Sequence, residues 1–170
     1  TFIMAILVMP TQVTAMGFLR LITNMGMYDS LLPLIIPSIA SPSVFYFMFS
    51  YLQSSLPLSL VEAARIDGSR EFRTFNQIVL PIMKPAMAVQ AIFSFVGSWN
   101  NYFVPALVIQ SKDKMTVPIL IALLRGADYM NRDMGKIYMM IVVAIVPIIL
   151  VYLVLSKYII AGVTLGGVKG

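Results

Sequence analysis

Four long stretches of the chain carry no charged residue: Thr1 to Leu19, Ser30 to Val61, Pro85 to Ser111 and Ile137 to Ser156. The hydrocarbon core of a bilayer is about 30 Å thick and takes roughly 20 helical residues to cross. Each stretch is long enough. None shows the period of two that barrel strands would impose; the run IYMMIVVAIVPIILVYLVL (Ile137 to Leu155) is apolar on every face. Lipid offers no hydrogen bonds, so each segment must satisfy its own backbone, and helices do that. The pattern therefore predicts an all-α, polytopic transmembrane helical bundle with spans near residues 1–22, 30–54, 85–109 and 137–158. Pro33, Pro37, Pro42, Pro105 and Pro147 should kink these helices or open them locally. The run MTVPILIALL, Met115 to Leu124, is too short to cross and reads as a re-entrant or surface element.

Composition agrees with the pattern. The chain is 59% hydrophobic and 11% charged, against about 25% charged in soluble domains. It has no cysteine and no histidine. That excludes zinc sites built on those residues, cysteine nucleophiles and histidine triads. The net charge of +5 is scattered, with no basic run for nucleic acid, and it suits a protein beside anionic lipid. The chain starts inside a hydrophobic stretch without an initiator Met, and this reads as a truncated N-terminus rather than a signal peptide.

Four crossings put both ends and the central loop, residues 57–84, on one side, and residues 112–136 on the other. The lysine and arginine bias does not orient this arrangement. Arg65, Arg70, Arg73, Lys84, Lys157 and Lys169 make six on one side; Arg20, Lys112, Lys114, Arg125, Arg132 and Lys136 make six on the other.

The central loop is the most informative stretch. In SLPLSLVEAARIDG, Ser59 and Glu62 have the spacing of a capping box. Leu60, Ala63 and Ala64 share one face of a short helix. Asp67-Gly68 ends it, with Gly68 free to take positive φ. Ser69 can cap a second helix with an apolar stripe of Phe72, Phe75, Ile78 and Val79, and Pro81 and Pro85 return the chain to the membrane. The result is an interfacial hairpin. It either links two spans or docks a partner: Ala63-Ala64 leaves a flat spot for close backbone approach, and Glu62 offers a carboxylate to a partner arginine.

The motif EAARIDG followed by IVLP, here Glu62-Ala63-Ala64, Asp67, Gly68 and Ile78 to Pro81 with Leu80 between, resembles the EAA loop of binding-protein-dependent ABC importer permeases. MPTQV (Met9 to Val13), SWNNYFVP (Ser98 to Pro105) and the terminal GGVKG are similar to the carbohydrate-uptake, maltose-type branch. The resemblance implies six spans in the family, so that two precede this chain. It implies a cytoplasmic coupling helix seated in a separate ATPase subunit, which holds the ATP and magnesium. It also implies a second permease subunit, an extracytoplasmic solute-binding protein, and a bacterial-type cytoplasmic membrane. By this reading Glu62, Ala63, Ala64, Asp67, Gly68, Ile78, Leu80 and Pro81 transmit force rather than perform chemistry.

Within the third span, Gln90, Ser94, Gly97, Ser98 and Asn101 fall on one helical stripe. Polar groups in a bilayer rarely face lipid. The stripe either packs helices through small residues or lines a path, for which Gln90, Ser94, Asn100 and Asn101 are the candidates. Trp99 and Tyr102 suit either a sugar ring or a membrane interface. The tail GVTLGGVKG lacks a phosphate loop, because Val168 rather than lysine follows Gly162 and Gly167. Asp113, Asp128 and Asp133 lie among Lys112, Lys114, Arg125 and Arg132, either as a solvated face or as contacts to the binding protein. The alternative function is an ion-coupled secondary transporter. Spans free of Asp, Glu, Lys and Arg argue against proton coupling but leave sodium coupling open.

Overall fold

The computed structural model describes residues 2–126 and 133–166, with side chains over 3–126 and 133–156. The described residues are helical, with no strand among them. In order they form α1 (Phe2–Val8), α2 (Thr11–Asn24), α3 (Leu32–Ile39), α4 (Pro42–Ser55), α5 (Leu58–Ile66), α6 (Glu71–Thr74), a π-helical turn (Phe75–Val79), α7 (Leu80–Trp99), α8 (Phe103–Val108), a 3-10 turn (Lys112–Lys114), α9 (Val117–Gly126) and α10 (Met134–Gly166).

Among the described residues, three helical runs are long and apolar enough to cross a membrane: Leu32–Ser55, Glu71–Trp99 and Met134–Ser156. The stretch expected to span residues 1–22 is instead two helices, α1 and α2. Pro10 separates them in an extended conformation, φ −65° and ψ 132°. In the second run α3 gives way to α4 after Ala40, φ −120° and ψ 55°, and Pro42 disfavours the helical region for Ser41 before it. Pro147 is held within α10, with helix on both sides.

The third run differs most from expectation. It begins at Glu71 and ends at Trp99, not at 85 and 109. The second helix of the loop and the span are therefore continuous, and Pro81 and Pro85 lie inside the run rather than bending the chain back to it. The π turn makes this possible. The N–H of Leu80 reaches back five residues to the carbonyl of Phe75. Pro81 has no N–H to give, and in a regular helix its ring would strike the carbonyl four residues earlier. The wider turn moves that carbonyl aside. At the other end the helix stops at Trp99, and the chain resumes in α8 with Pro105 inside it.

The chain divides into two compact units. The first comprises residues 1–42 and 95–150. Here α2 and α3 pack against α8, and Ile22, Val108, Ile109 and Ile119 form a buried core joined by Leu19, Met27 and Leu34. Val108 is fully buried, at 0% exposure. The short apolar run at 115–124 contributes α9, whose Ile119 enters this core. Its ten residues are too few to cross a bilayer alone. Trp99 stacks on Phe95 at 5.7 Å and donates its indole N–H to the carbonyl of Ala144 at 2.9 Å. That carbonyl lies three residues before Pro147, where the ring spreads the backbone.

The second unit comprises residues 43–94 and 151–170. Phe45 and Phe49 stack along α4. The Tyr51 hydroxyl donates to the carbonyl of Ile82 at 3.4 Å, which ties α4 to the start of α7. Ala64, Thr74, Met83, Ala86 and Ala88 are buried.

Candidate functional site

The EAA residues lie on α5 and the turn after it. Pro57, not Ser59, holds the N-cap position, and no side chain caps the helix. The expected Ser59–Glu62 capping box does not form, since the N-cap at Pro57 leaves Ser59 two residues too far inside. Glu62 and Ala63 are exposed, while Ala64 is buried at the opposite edge of α5.

The helix ends in a complete Schellman motif. The N–H of Ser69 donates to the carbonyl of Ala64 at 2.9 Å, and the N–H of Gly68 to that of Arg65 at 3.0 Å. This closure requires a left-handed residue after the cap, and Gly68 supplies it with φ +75°. Asp67 sits at the C-cap. Arg65 and Glu71 then bridge the two sides of the bend, with Nε to Oε1 at 2.9 Å. The carboxylate of Glu71 raises the pKa of the Arg65 guanidinium, first through the hydrogen bond and then through its charge, with Glu62 adding a smaller electrostatic contribution.

Ser69 does not cap the second helix; Arg70 is at that N-cap. The Ser69 hydroxyl accepts instead from Thr74 Oγ1 at 3.0 Å, and Thr74 is only 3% exposed. Of the stripe drawn through Phe72, Phe75, Ile78 and Val79, Phe72 is 79% exposed and Phe75 is exposed, while Ile78 and Val79 are half-buried; the π turn at Phe75–Val79 interrupts the 3.6-residue period on which the stripe depends. Leu58 and Ile66, four residues either side of Glu62 on α5, and Phe72 on α6 leave apolar surface uncovered. Ile78 and Leu80 are half-buried in the helix below, and Pro81 is exposed.

Of the path candidates, Gln90 and Ser94 are brought together and Asn100 and Asn101 do not join their stripe. Gln90 donates to Ser94 Oγ at 3.1 Å, one turn apart on α7. Asn100 and Asn101 lie beyond the end of α7, so the stripe does not continue to them. The Asn101 carbonyl oxygen accepts from the N–H of Val104 at 3.4 Å, at the start of α8.

A second polar constellation, in the first unit, centres on Asp29, which sequence reasoning missed. Asp29 lies between α2 and α3 with φ 54°. Its Oδ1 accepts from the backbone N–H groups of Gln110 at 2.8 Å and Ser111 at 2.9 Å. Its Oδ2 accepts from the Ser111 hydroxyl. Lys114 Nζ donates to the Asp29 carbonyl at 2.6 Å and lies 3.4 Å from Oδ2. The Ser111 hydroxyl, then the N–H groups of Ser111 and Gln110, hold the carboxyl well below the usual carboxylate range, against a small opposing effect of burial. The signal available in the sequence was one acid in a short loop, of a residue type that tolerates positive φ.

Asp133, before α10, accepts from the N–H of Lys136 at 3.0 Å and pairs with its ammonium at 3.3 Å. Both interactions lower its pKa, the backbone bond first. Asp128 and Arg132 lie outside the described residues. No group of acidic residues suited to a metal ion occurs among the described residues.

Apolar helices of spanning length, with an exposed, glycine-bent helical hairpin between two of them, define a polytopic helical membrane protein. The chain belongs to the family described as binding-protein-dependent transport system inner membrane component, whose pattern matches residues 1–164. It is similar to the arabinooligosaccharides transport system permease protein AraQ of Bacillus subtilis, with 36% identity over 99% of this chain and 59% of that protein. It is also similar to the diacetylchitobiose uptake system permease protein NgcG of Streptomyces coelicolor, at 34% over 84% of this chain and 48% of that one. The trehalose/maltose transport system permease protein MalG of Thermococcus litoralis shares 30% identity over 99% of this chain and 61% of its own length. The chain thus spans about three fifths of the length of AraQ. A crystal structure of a bacterial ABC transporter involved in the import of the acidic polysaccharide alginate has the same fold. It matches 84% of this chain and 55% of its own, with TM-score 0.65 and 24% identity.

Proposed function

We propose that this chain is part of the permease subunit of an ATP-driven importer in a bacterial-type cytoplasmic membrane, passing a sugar or related small solute delivered by an extracytoplasmic binding protein. The single observation that carries the reading is the bend at Gly68. A helix ends in a closed Schellman motif, is braced across the bend by Arg65–Glu71, and leaves Glu62 and Ala63 exposed among bare apolar side chains. Such a surface suits a protein partner rather than water. Ala63 lets the partner's backbone approach, Glu62 offers it a charge, and Leu58, Ile66 and Phe72 supply apolar contact. A braced bend transmits a push better than a flexible loop.

The continuous helix from Glu71 to Trp99 gives that push a lever into the membrane. ATP and magnesium belong, in this account, to a separate ATPase subunit, and a second permease subunit completes the pathway. Gln90 and Ser94 are the candidates for the path that remain within a span. Sugar relatives at 30–36% identity support the substrate class.

The test is reconstitution of the full-length protein with its ATPase, its permease partner and its binding protein in proteoliposomes. Uptake of a labelled oligosaccharide should require ATP and all four components. Solute accumulation driven by an ion gradient without the ATPase would refute the proposal.

A further inference from the structure

In a helix each backbone carbonyl is met by the N–H four residues on, so a side chain from another helix rarely reaches one. Among the described residues Trp99 and Tyr51 both do so, and both reach the same place relative to a proline. The Trp99 indole N–H donates to the carbonyl of Ala144 at 2.9 Å, and Ala144 precedes Pro147 by three residues within α10. The Tyr51 hydroxyl donates to the carbonyl of Ile82 at 3.4 Å, and Ile82 precedes Pro85 by three residues within α7. The Trp99 bond is the shorter and the stronger.

Proline explains the shared offset. Pro147 has no N–H for the carbonyl of Val143, and its ring pushes that carbonyl aside. The opened turn admits a donor from outside the helix. Inside a membrane no water serves the backbone, so a neighbouring helix supplies the donor. The indole N–H needs a partner in the same surroundings. Phe95 stacks on the Trp99 ring and fixes its plane. Trp99 is also the last residue of α7. The bend in α10 is therefore gripped by the residue at which α7 ends. A proline is where a long helix flexes most readily, and a single directional bond at that point can open and close without unpacking the helix.

We propose that α10 is a hinge at Pro147 and that the Trp99 indole is its latch, a positioning residue that fixes the bend of the last span on the end of α7. The proposal rests on the reading of this chain as part of a permease subunit and deepens it: Trp99 acts on the transport cycle through α10, with no solute contact.

The experiment uses the complete reconstituted importer and two readouts. Trp99→Phe keeps an aromatic ring against Phe95 and lacks only a donor. Without nucleotide, backbone amides around residues 144–151 should exchange deuterium about threefold to tenfold faster in this variant, the worth of one hydrogen bond. Benzothienylalanine at position 99, which exchanges the indole N–H for sulfur and keeps its shape, should match Trp99→Phe. In transport, Trp99→Phe should lower the maximal uptake rate and leave the half-saturating sugar concentration unchanged. It should have no further effect in Pro147→Ala, which restores the N–H and removes the bend. Wild-type exchange or wild-type uptake in Trp99→Phe would overturn the proposal, as would full activity with benzothienylalanine. So would effects of Trp99→Phe and Pro147→Ala that multiply, or a raised half-saturation at unchanged maximal rate, which would set Trp99 against the solute. Wild-type importer in which ATP drives no uptake would instead overturn the functional reading, and the exchange measurement would still decide the latch.

Discussion

Gly68 and Asp29 carry positive φ for different reasons, and each gives a prediction. Gly68 takes φ +75° with no atom within 4 Å of where a Cβ would stand, so the barrier to a side chain there is conformational rather than steric crowding. A residue with a Cβ in the left-handed region costs about 1–2 kcal/mol, and β-branched residues resist it most. Gly68→Val should reopen the Schellman closure and uncouple ATP hydrolysis from uptake, while Gly68→Asn should be tolerated. Normal transport with normal ATPase stimulation in Gly68→Val would remove the bend from the mechanism. Asp29 takes φ 54° because its carboxylate and backbone both have partners there. Its folded pKa is depressed below its unfolded value. Its stabilising effect is therefore fully present above about pH 4 and is lost as the pH falls through the folded value. The difference in thermal midpoint between wild type and Asp29→Asn should stay constant from pH 5 to 8 and shrink below pH 4. A difference that changes across the neutral range would contradict the clasp as described.

At the scale of elements, the joint between α6 and α7 decides how the bend is connected to the span. The π turn adds one residue to a helical repeat, and one residue is about 100° of rotation. Pro81→Ala restores the missing N–H and removes the ring. The turn should relax to regular helix, rotating α6 about the helix axis and carrying the bend with it. Spin labels on α6 and α7 should report a changed distance, and transport should fall while stability rises. An unchanged distance would show that Pro81 does not hold the π turn.

The same joint marks the limit of what the sequence reveals. Gly68 as the stop of α5 was legible, because glycine after a short amphipathic helix has one common use. The continuity of Glu71 to Trp99 was not, since two prolines read as breakers unless a wider turn is known to absorb the first. The capping box at Ser59 and Glu62 was the right spacing set two residues too far into the helix. The stripe from Gln90 to Asn101 assumed helix as far as Asn101, whereas α7 stops at Trp99. The Asp29 clasp joins residues more than eighty positions apart, and local pattern carries no information on such pairings.

For the whole molecule, the apolar runs fixed the class and the bend supplies the account of its work. On the proposed function, helices without a charged residue in their apolar stretches would leave the solute pathway neutral, and the energy would enter from outside the span. A surface turn rigid enough to carry force, and bare enough to be gripped, is where it would enter. These 170 residues contain no cysteine, so a thiol placed at the exposed Ala63 has no background from them. The most direct measurement is the reaction of the Ala63→Cys importer with a membrane-impermeant thiol reagent, in intact cells and in inside-out vesicles, with and without the ATPase. The account predicts labelling only in inside-out vesicles, and protection once the ATPase is bound. Labelling from the outside of intact cells, or equal labelling with and without the ATPase, would contradict it.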